Sequence, residues 1–433
     1  MALLAALLLV LGVPMALALG LSAVAIALAS QATPIQVLTI QMFDTASKFL
    51  LLAIPLFVFA SKLMEAGGLA ADLVRLSELL VGKIRGGLGV AVVISAMFFS
   101  GMTGAKVAEI AAIAQTTIPS LRKRHYDVNY AVAIVIAGSA AGELVPPAIN
   151  MIIVAGTLNT SVTKLFVGSV FGALLLGVLT SVLVIINGTG GLIHNGRANP
   201  ALSSPINDAG VLSTSSTWDA IRGGLIAAFL PLLVFGGILG GIFSPTEAAG
   251  IACLYALLVV CVIYRRVDAR GIFQIAADSA VLSGALMLLV ICAAAFSQML
   301  SIEGLQFALT SAASGIGHNG WIVVLVTIIL FVVMGSVLEG LPAVIIFAPV
   351  LGPVAAIAGL DPTHFGVLMV AAIGLGLCLP PVGIGFVTAC AVSNTGSAAV
   401  SKRYWPFVLV LLVGVFLIGF VPAFSTFLPR YVR

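Results

Sequence analysis

Charged residues are scarce in this chain. Asp, Glu, Lys and Arg make up 8% of the 433 residues, whereas 61% are hydrophobic and the mean hydropathy is +1.25. This composition excludes an ordinary soluble domain. The alternation of a membrane β-strand is also missing, and continuous apolar runs of about 20 residues, long enough to span a bilayer, recur instead. Because backbone groups in lipid are satisfied within their own helix, we expect an all-α polytopic membrane protein.

Signatures of several other functional classes are missing as well. The five cysteines form no CxxC pair, and the four histidines have no metal-ligand spacing. Gly315, Gly317 and Gly320 match a dinucleotide motif but follow no strand. The basic residues lie in short loops, where they orient the chain rather than bind nucleic acid. We therefore expect no cofactor and no enzyme activity.

The chain does contain a duplicated set of helix-breaking residues at a constant separation. Gly101 and Gly335 are 335 − 101 = 234 positions apart. The same shift relates four more pairs of landmarks, namely Pro119 and Pro353, Asp127 and Asp361, Gly142 and Gly376, and Pro146-Pro147 and Pro380-Pro381. This pattern indicates an internal duplication. Interrupted hydrophobic segments at matching positions of two halves predict a transporter's binding site.

Each repeat is predicted to contain a re-entrant hairpin and a broken crossing. Residues 86–121 are too few for two full crossings, which need about 40 residues, so a hairpin is favoured over the alternative of two short helices. The predicted divisions are 1–47 (scaffold helices), 48–186 (first repeat, with hairpin 86–121 and broken helix 129–156), 187–279 (linker and scaffold) and 280–433 (second repeat, with hairpin 320–358 and broken helix 364–392).

The distribution of basic residues predicts that the repeats are inverted. Arg85 and the cluster 122–124 flank the first hairpin, whereas the sequences flanking the second contain no Lys or Arg. By the positive-inside tendency, the two hairpins then enter from opposite faces of the membrane. Between residues 67 and 84, leucines at helical spacing alternate with charges, which predicts an amphipathic helix lying along the interface.

Five stretches resemble a known family. They are FFSGMTGAKVAEIAAIAQTTIPSL, GELVPP, GGIFSPTEAAG, DPTHFGVLMV and LCLPPVGIGF. In order and spacing they are similar to the large membrane subunit of tripartite ATP-independent periplasmic (TRAP) transporters, from about residue 10 to the C-terminus. The resemblance implies sodium-coupled import of an organic acid across the bacterial inner membrane by an elevator mechanism. It also implies two partners, a small four-helix membrane subunit and a periplasmic substrate-binding protein.

The two breaks are expected to expose carbonyl oxygens and helix N-termini at the membrane midplane. Sodium prefers such oxygen ligands. We predict a first sodium site at Ser100, Gly101, Thr103, Gly138, Ser139 and Gly142. We predict a second at Gly335, Ser336, Glu339, Gly376 and Thr388. For any single glycine, close packing of helices is the alternative explanation.

Substrate contacts are predicted at Lys106, Glu143, Thr103, Pro146 and Pro380. Ionisable residues at membrane depth are costly, so they mark functional positions. The family resembled here usually has a small or apolar residue at the position of Lys106 and often proline at that of Glu143. We expect Lys106 to bind a carboxylate with Glu143 balancing the charge. The alternative is a mutual ion pair of Lys106 and Glu143 closing the hairpin tip. Glu109, about one turn beyond Lys106, is expected to support the hairpin, with a solvated or capped helix position as the alternative.

Two other functions stay open from sequence alone. One is a sodium/dicarboxylate symporter that works without a binding protein. The other is an integral membrane enzyme, which is disfavoured because the chain has no HExxH motif, Ser-Lys dyad or acidic metal cluster.

Overall fold

The computed structural model describes residues 2–29, 35–82, 84–100, 106–188, 217–316, 320–338 and 340–431. The regular structure in these ranges is helical, and they contain no strand. Eight of the helices described are long and apolar enough to cross a membrane. The predicted all-α polytopic class is therefore confirmed.

The helices of the N-terminal half are α1 (Ala2–Val10), α2 (Met15–Ala29), α3 (Ile35–Ala46), α4 (Ala53–Ala66), α5 (Leu69–Val81), α6 (Gly87–Ser100), α7 (Lys106–Lys123), α8 (Val128–Gly142), α9 (Ile149–Leu158) and α10 (Val162–Asn187). Those of the C-terminal half are α11 (Thr217–Leu239), α12 (Pro245–Leu257), α13 (Ala269–Ile302), α14 (Leu305–Ile316), α15 (Gly320–Leu338), α16 (Gly340–Ile357), α17 (Pro362–Leu377), α18 (Ile384–Val392), α19 (Ser397–Phe420) and α20 (Ala423–Thr426).

The duplicated landmarks correspond to matching helices. Helix α7 starts 340 − 106 = 234 residues before α16, and α8 starts 362 − 128 = 234 residues before α17. Both broken crossings are capped in the same way. The Asp127 side chain accepts a hydrogen bond from the Asn129 N–H at 2.8 Å, and Asp361 accepts one from the Thr363 N–H at 2.8 Å. An N-cap aspartate satisfies N–H groups that lack a partner within the helix, so the duplication extends to how each helix begins.

The two repeats interlock. Helix α9 of the first repeat packs on α16 of the second, and α18 packs reciprocally on α7. The outer helices show the same reciprocal pattern. Helix α2 packs on α13, and α12 packs on α4. Reciprocal contacts of this kind arise when two units are related by a two-fold axis. Each broken crossing is thus closed by the hairpin of the other repeat.

Helix α19 marks the two faces of the fold. Near its start, Arg403 pairs with Asp127, the residue just before α8, at 2.9 Å. Near its end, the Gly419 carbonyl lies 3.1 Å from Nε2 of His364, in the first turn of α17. Because 419 − 403 = 16 residues rise about 24 Å along a helix, α8 and α17 begin at opposite ends of α19.

The far ends of α8 and α17 meet. A Cβ built on Gly374, near the end of α17, would stand 2.8 Å from the Ala140 carbonyl oxygen and 2.8 Å from Cβ of Glu143. Helices that begin at opposite ends of α19 and touch at their C-termini point toward each other. The predicted inverted relation of the repeats is therefore confirmed.

Basic clusters from distant parts of the chain contact both ends of α5. The Arg266 guanidinium donates to the Gly67 carbonyl just before this helix. Arg124 pairs with Glu78, in its last turn, at 3.0 Å. The positive-inside tendency predicts a cytoplasmic side for the basic residues 122–124 and for those at 265–270, and both groups contact the same short helix. This geometry fits the predicted helix along that interface.

Candidate ion and substrate site

The first broken crossing lies close against the first arm of its hairpin. A Cβ on Gly138 of α8 would stand 2.9 Å from Cβ of Ala96, and one on Gly142 would stand 2.5 Å from Cβ of Ser100. Such distances leave no room for a side chain. Close packing therefore accounts for both glycines, and it brings the end of α6 beside the last turn of α8.

Lys106 begins α7 and directs its ammonium group into this junction. Among the described residues, four oxygen atoms lie within 3.0 Å of Nζ. They are Glu143 Oε2 at 2.6 Å, Ser100 Oγ at 2.7 Å, Glu109 Oε2 at 2.9 Å and the Ser139 carbonyl at 3.0 Å. The structure thus shows the mutual ion pair that the sequence left as an alternative, with Glu109 as a further partner. A role of Lys106 in substrate binding stays a prediction.

The position of these oxygens follows from the ends of two helices. Ser139 lies in the last turn of α8, where carbonyl groups have no partner within the helix. Ser100 is the last residue of α6. Helix C-termini carry partial negative charge and favour cations. The junction is therefore built to hold a positive charge, and the ammonium of Lys106 supplies one.

The cluster is buried and combines one basic side chain with two acidic ones. The side chains of Lys106, Glu109 and Glu143 are 8%, 0% and 9% exposed. Burying charge is expensive unless it is paired, and removing one partner of a buried pair costs about 3–5 kcal/mol. These three side chains therefore depend on one another.

Asn150 connects this cluster to the second repeat, and the sequence analysis missed it. Its side-chain amide donates to Oε1 of Glu143. The same amide lies next to the start of α16, since a Cβ on Gly340 would stand 2.9 Å from its nitrogen. A polar amide in the apolar run that follows the proline pair was the available signal.

The second break contains a matching glycine contact but no charged cluster among its described residues. A Cβ on Gly376 would stand 3.1 Å from Cα of Gly335, so these two predicted residues lie together. The hydroxyl groups of Ser336 and Thr388 each donate to a carbonyl of their own helix, at 2.7 Å. Gly101, Thr103 and Glu339 lie outside the described residues.

The charged positions of the first repeat have uncharged counterparts in the second. A shift of 234 places Gly340, Ala343 and Leu377 at the positions of Lys106, Glu109 and Glu143. The remaining predicted residues, Pro146 and Pro380, are both buried within the breaks. The two halves thus share a backbone plan and differ in charge.

Opposed broken helices whose C-termini meet, with hairpin N-termini beside them, are typical of secondary transporters. A family model agrees with this geometry. The model for the DctM component of tripartite ATP-independent periplasmic transporters matches residues 2–424. The chain belongs to this family.

Two relatives of this DctM chain cover nearly all of it. The isethionate TRAP transporter permease protein DctMQ of Oleidesulfovibrio alaskensis is 30% identical over 98% of the chain. The chain spans 65% of that longer relative. The C4-dicarboxylate TRAP transporter large permease protein DctM of Pseudomonas aeruginosa is 31% identical over 95% of the chain and 94% of its own length. Both are named as transport permeases, in agreement with a carrier rather than an enzyme.

A solved structure shares the fold. The YdaH transporter of Alcanivorax borkumensis superposes with a TM-score of 0.60 over 89% of this DctM chain and 87% of its own, at 18% identity. At that identity the match concerns architecture alone.

Proposed function

We propose that this TRAP permease uses a sodium gradient to import a small organic acid across the bacterial inner membrane. Two of its relatives are named for isethionate and for C4-dicarboxylates, both small organic anions. The proposal includes two partners, a small four-helix membrane subunit and a periplasmic binding protein that delivers the substrate. The description of the family as tripartite supports further components.

The meeting of the two broken helices carries the proposal. The C-terminal ends of α8 and α17 touch at Gly374 and Glu143. The N-terminus of α7 lies beside the first break through Lys106, and that of α16 lies beside Asn150 through Gly340. Helix C-termini favour cations and N-termini favour anions. One region of the fold thus offers complementary surroundings to a cation and to a carboxylate.

The candidate cation sites in this proposal are the two breaks. The first offers oxygens of Ser100 and Ser139 to a cation, beside the packed glycines Gly138 and Gly142. The second would use the backbone around Gly335 and Gly376, with Ser336, Glu339 and Thr388 as further predicted ligands. The substrate would lie between them, near Pro146 and Pro380.

An elevator movement fits the interlocked helices. The hairpins and broken crossings contact one another across the repeats, through α7 with α18 and α9 with α16. The outer helices α2 and α12 instead pack on α13 and α4. We propose that the first group moves as one body against the second.

Reconstitution tests the proposal. The permease, its small subunit and its binding protein would be placed in proteoliposomes and supplied with labelled C4-dicarboxylates or isethionate. We expect uptake only with an inward sodium gradient and with binding protein present. Equal uptake after potassium replaces sodium would contradict sodium coupling. Uptake without binding protein would favour the independent sodium/dicarboxylate symporter.

A further inference from the structure

The geometry points to the ammonium of Lys106 as a tethered cation that fills the cation site of the first break. The first repeat would then bind no sodium ion, and coupling would run through the second repeat alone. This inference rests on the proposed sodium-coupled function. It concerns which cation occupies the first site, a question separate from whether the carrier uses sodium at all.

The contacts around Nζ are those that a hard cation would use. A hydroxyl, a backbone carbonyl and two carboxylates supply oxygen atoms at 2.6–3.0 Å. Oxygen donors of these kinds also hold hard metal cations. Two of them, Ser100 Oγ and the Ser139 carbonyl, belong to residues that the sequence predicts as sodium ligands. Because the Lys106 ammonium donates hydrogen bonds to both oxygens, a sodium ion bound to the same oxygens would be repelled by the positive charge of the ammonium at contact distance.

The surrounding structure holds the ammonium in place. Lys106 lies in the first turn of α7, and Glu109 follows three residues later, so both side chains share one face of the helix. Glu143 is held from the other side by the Asn150 amide. All three charged side chains are at least nine-tenths buried. The cation is thus attached to the hairpin and enclosed by the broken crossing.

The two repeats differ at the positions of the Lys106 cluster, which supports a functional role for the cluster in the first repeat. The second repeat keeps the glycine contact of the break, through Gly335 and Gly376. It has Gly340, Ala343 and Leu377 where the first has the charged residues. The ammonium is present in one half only, so the other half is the one left to bind a free ion.

A tethered cation changes the energetics of transport. A sodium ion that binds outside and leaves inside contributes the energy of its gradient to each cycle. A lysine side chain moves with the protein and returns with it, so its charge contributes none. Lys106 would therefore offset the negative charge of the neighbouring carboxyl groups, as a bound sodium ion would. It would also lower the number of sodium ions transported per substrate.

Sodium binding by the purified full chain tests this inference. The measurement is equilibrium binding of sodium-22, with choline as the background salt. We expect Lys106→Met, which keeps the length of the side chain and removes its charge, to bind one more sodium ion per chain than the native protein. Lys106→Arg keeps the charge and should bind the same number as the native protein. Equal numbers for Lys106→Met and the native protein would overturn the inference.

Two further variants keep the test decisive if Lys106→Met does not fold. The double variant Lys106→Gln, Glu109→Gln removes one basic and one acidic group together and keeps the oxygens of Ser100, Ser139 and Glu143. It should also gain one sodium ion. Ser100→Ala in the native background should change sodium affinity by less than twofold, because the Ser100 hydroxyl accepts a hydrogen bond from the Lys106 ammonium and is not a sodium ligand. A loss of tenfold or more would identify Ser100 as a sodium ligand and overturn the inference.

Failure of this inference differs from failure of the proposed function. The inference depends only on the difference in bound sodium between variants and native protein. The proposed function fails if the native carrier with its partners imports substrate equally well without sodium. A Lys106→Met variant that binds one more sodium ion than the native chain would support the assignment of the first site to Lys106 even where sodium-independent import contradicts the proposed function.

Discussion

At the scale of single residues, the first break depends on a few side chains whose environments explain their identity. Glu143 accepts from Asn150 on one side and pairs with Lys106 on the other. Hydrogen bonds to charged groups contribute about 1.5–3 kcal/mol each, and their loss would leave a carboxylate buried without a partner. Gly142 next to this carboxylate is required for a different reason, the close approach of α6.

Gly142→Ala is expected to destabilise the protein. The added Cβ would stand 2.5 Å from Cβ of Ser100 and 2.8 Å from Cα of Met97. Overpacking of this kind costs about 1–3 kcal/mol. The matched control is Gly250→Ala in α12, where nothing lies within 4 Å of the new Cβ. In detergent, the free energy of unfolding should be lower than that of the native protein for Gly142→Ala and not for Gly250→Ala. Equal free energies of unfolding for the two variants would contradict the close packing at Gly142.

At the scale of elements, the same capping device starts both broken crossings. Asp127 and Asp361 each accept hydrogen bonds from the first turn of the following helix. Asp127 also pairs with Arg403, whereas the described contacts of Asp361 are those of the cap alone. The two aspartates thus share a role that comes from the duplication, and one has gained a second.

Substitution of the two caps should separate these roles. Asp361→Ala is expected to lower the free energy of unfolding by about 0.5–2 kcal/mol, the usual cost of losing an N-cap. Asp127→Ala should cost more by up to about 1 kcal/mol, since a partly exposed ion pair is lost as well.

Asp127→Asn provides the control, because asparagine still caps a helix and carries no charge. It should lose only the smaller ion-pair contribution, measured by the same unfolding experiment. An Asp361→Ala variant as stable as the native protein would show that the cap contributes little to this helix.

At the scale of the whole molecule, the opposed directions of α8 and α17 fix which loops lie on which side. Lys402 lies beside Arg403, whose partner Asp127 adjoins the basic cluster 122–124. Glu303 follows α13, a helix of 34 residues that begins near the basic residues 265–270. A helix of this length spans the membrane, so these two exposed positions should lie on opposite sides.

Labelling of single cysteines tests this arrangement. A membrane-impermeant maleimide should modify Glu303→Cys in intact cells or right-side-out vesicles. It should modify Lys402→Cys only after the membrane is opened. The native protein is the control, since its five cysteines are all buried or half-buried. Labelling of both positions from the same side would contradict the inverted arrangement.

Much of the fold could be predicted from the sequence because it depends on local properties. Apolar runs identify membrane helices, and the landmarks that break helices, such as Gly142 and Pro146-Pro147, recur at a constant shift. The candidate site was predictable in part. Ser100, Ser139, Lys106 and Glu143 were all singled out, and the structure places them in contact. Their roles in binding sodium or substrate stay predictions.

The sequence by itself determined the class of protein, the duplication and the positions of the breaks, since hydropathy and helix-breaking residues act within a short stretch of chain. Only the tertiary structure decided the partners of the charged groups. The ammonium of Lys106 donates a hydrogen bond to a carbonyl in α8. The Asn150 amide donates to Glu143 and lies beside the start of α16. These contacts join segments far apart in sequence, and they form because interlocked helices bring buried polar groups together where no water can replace them.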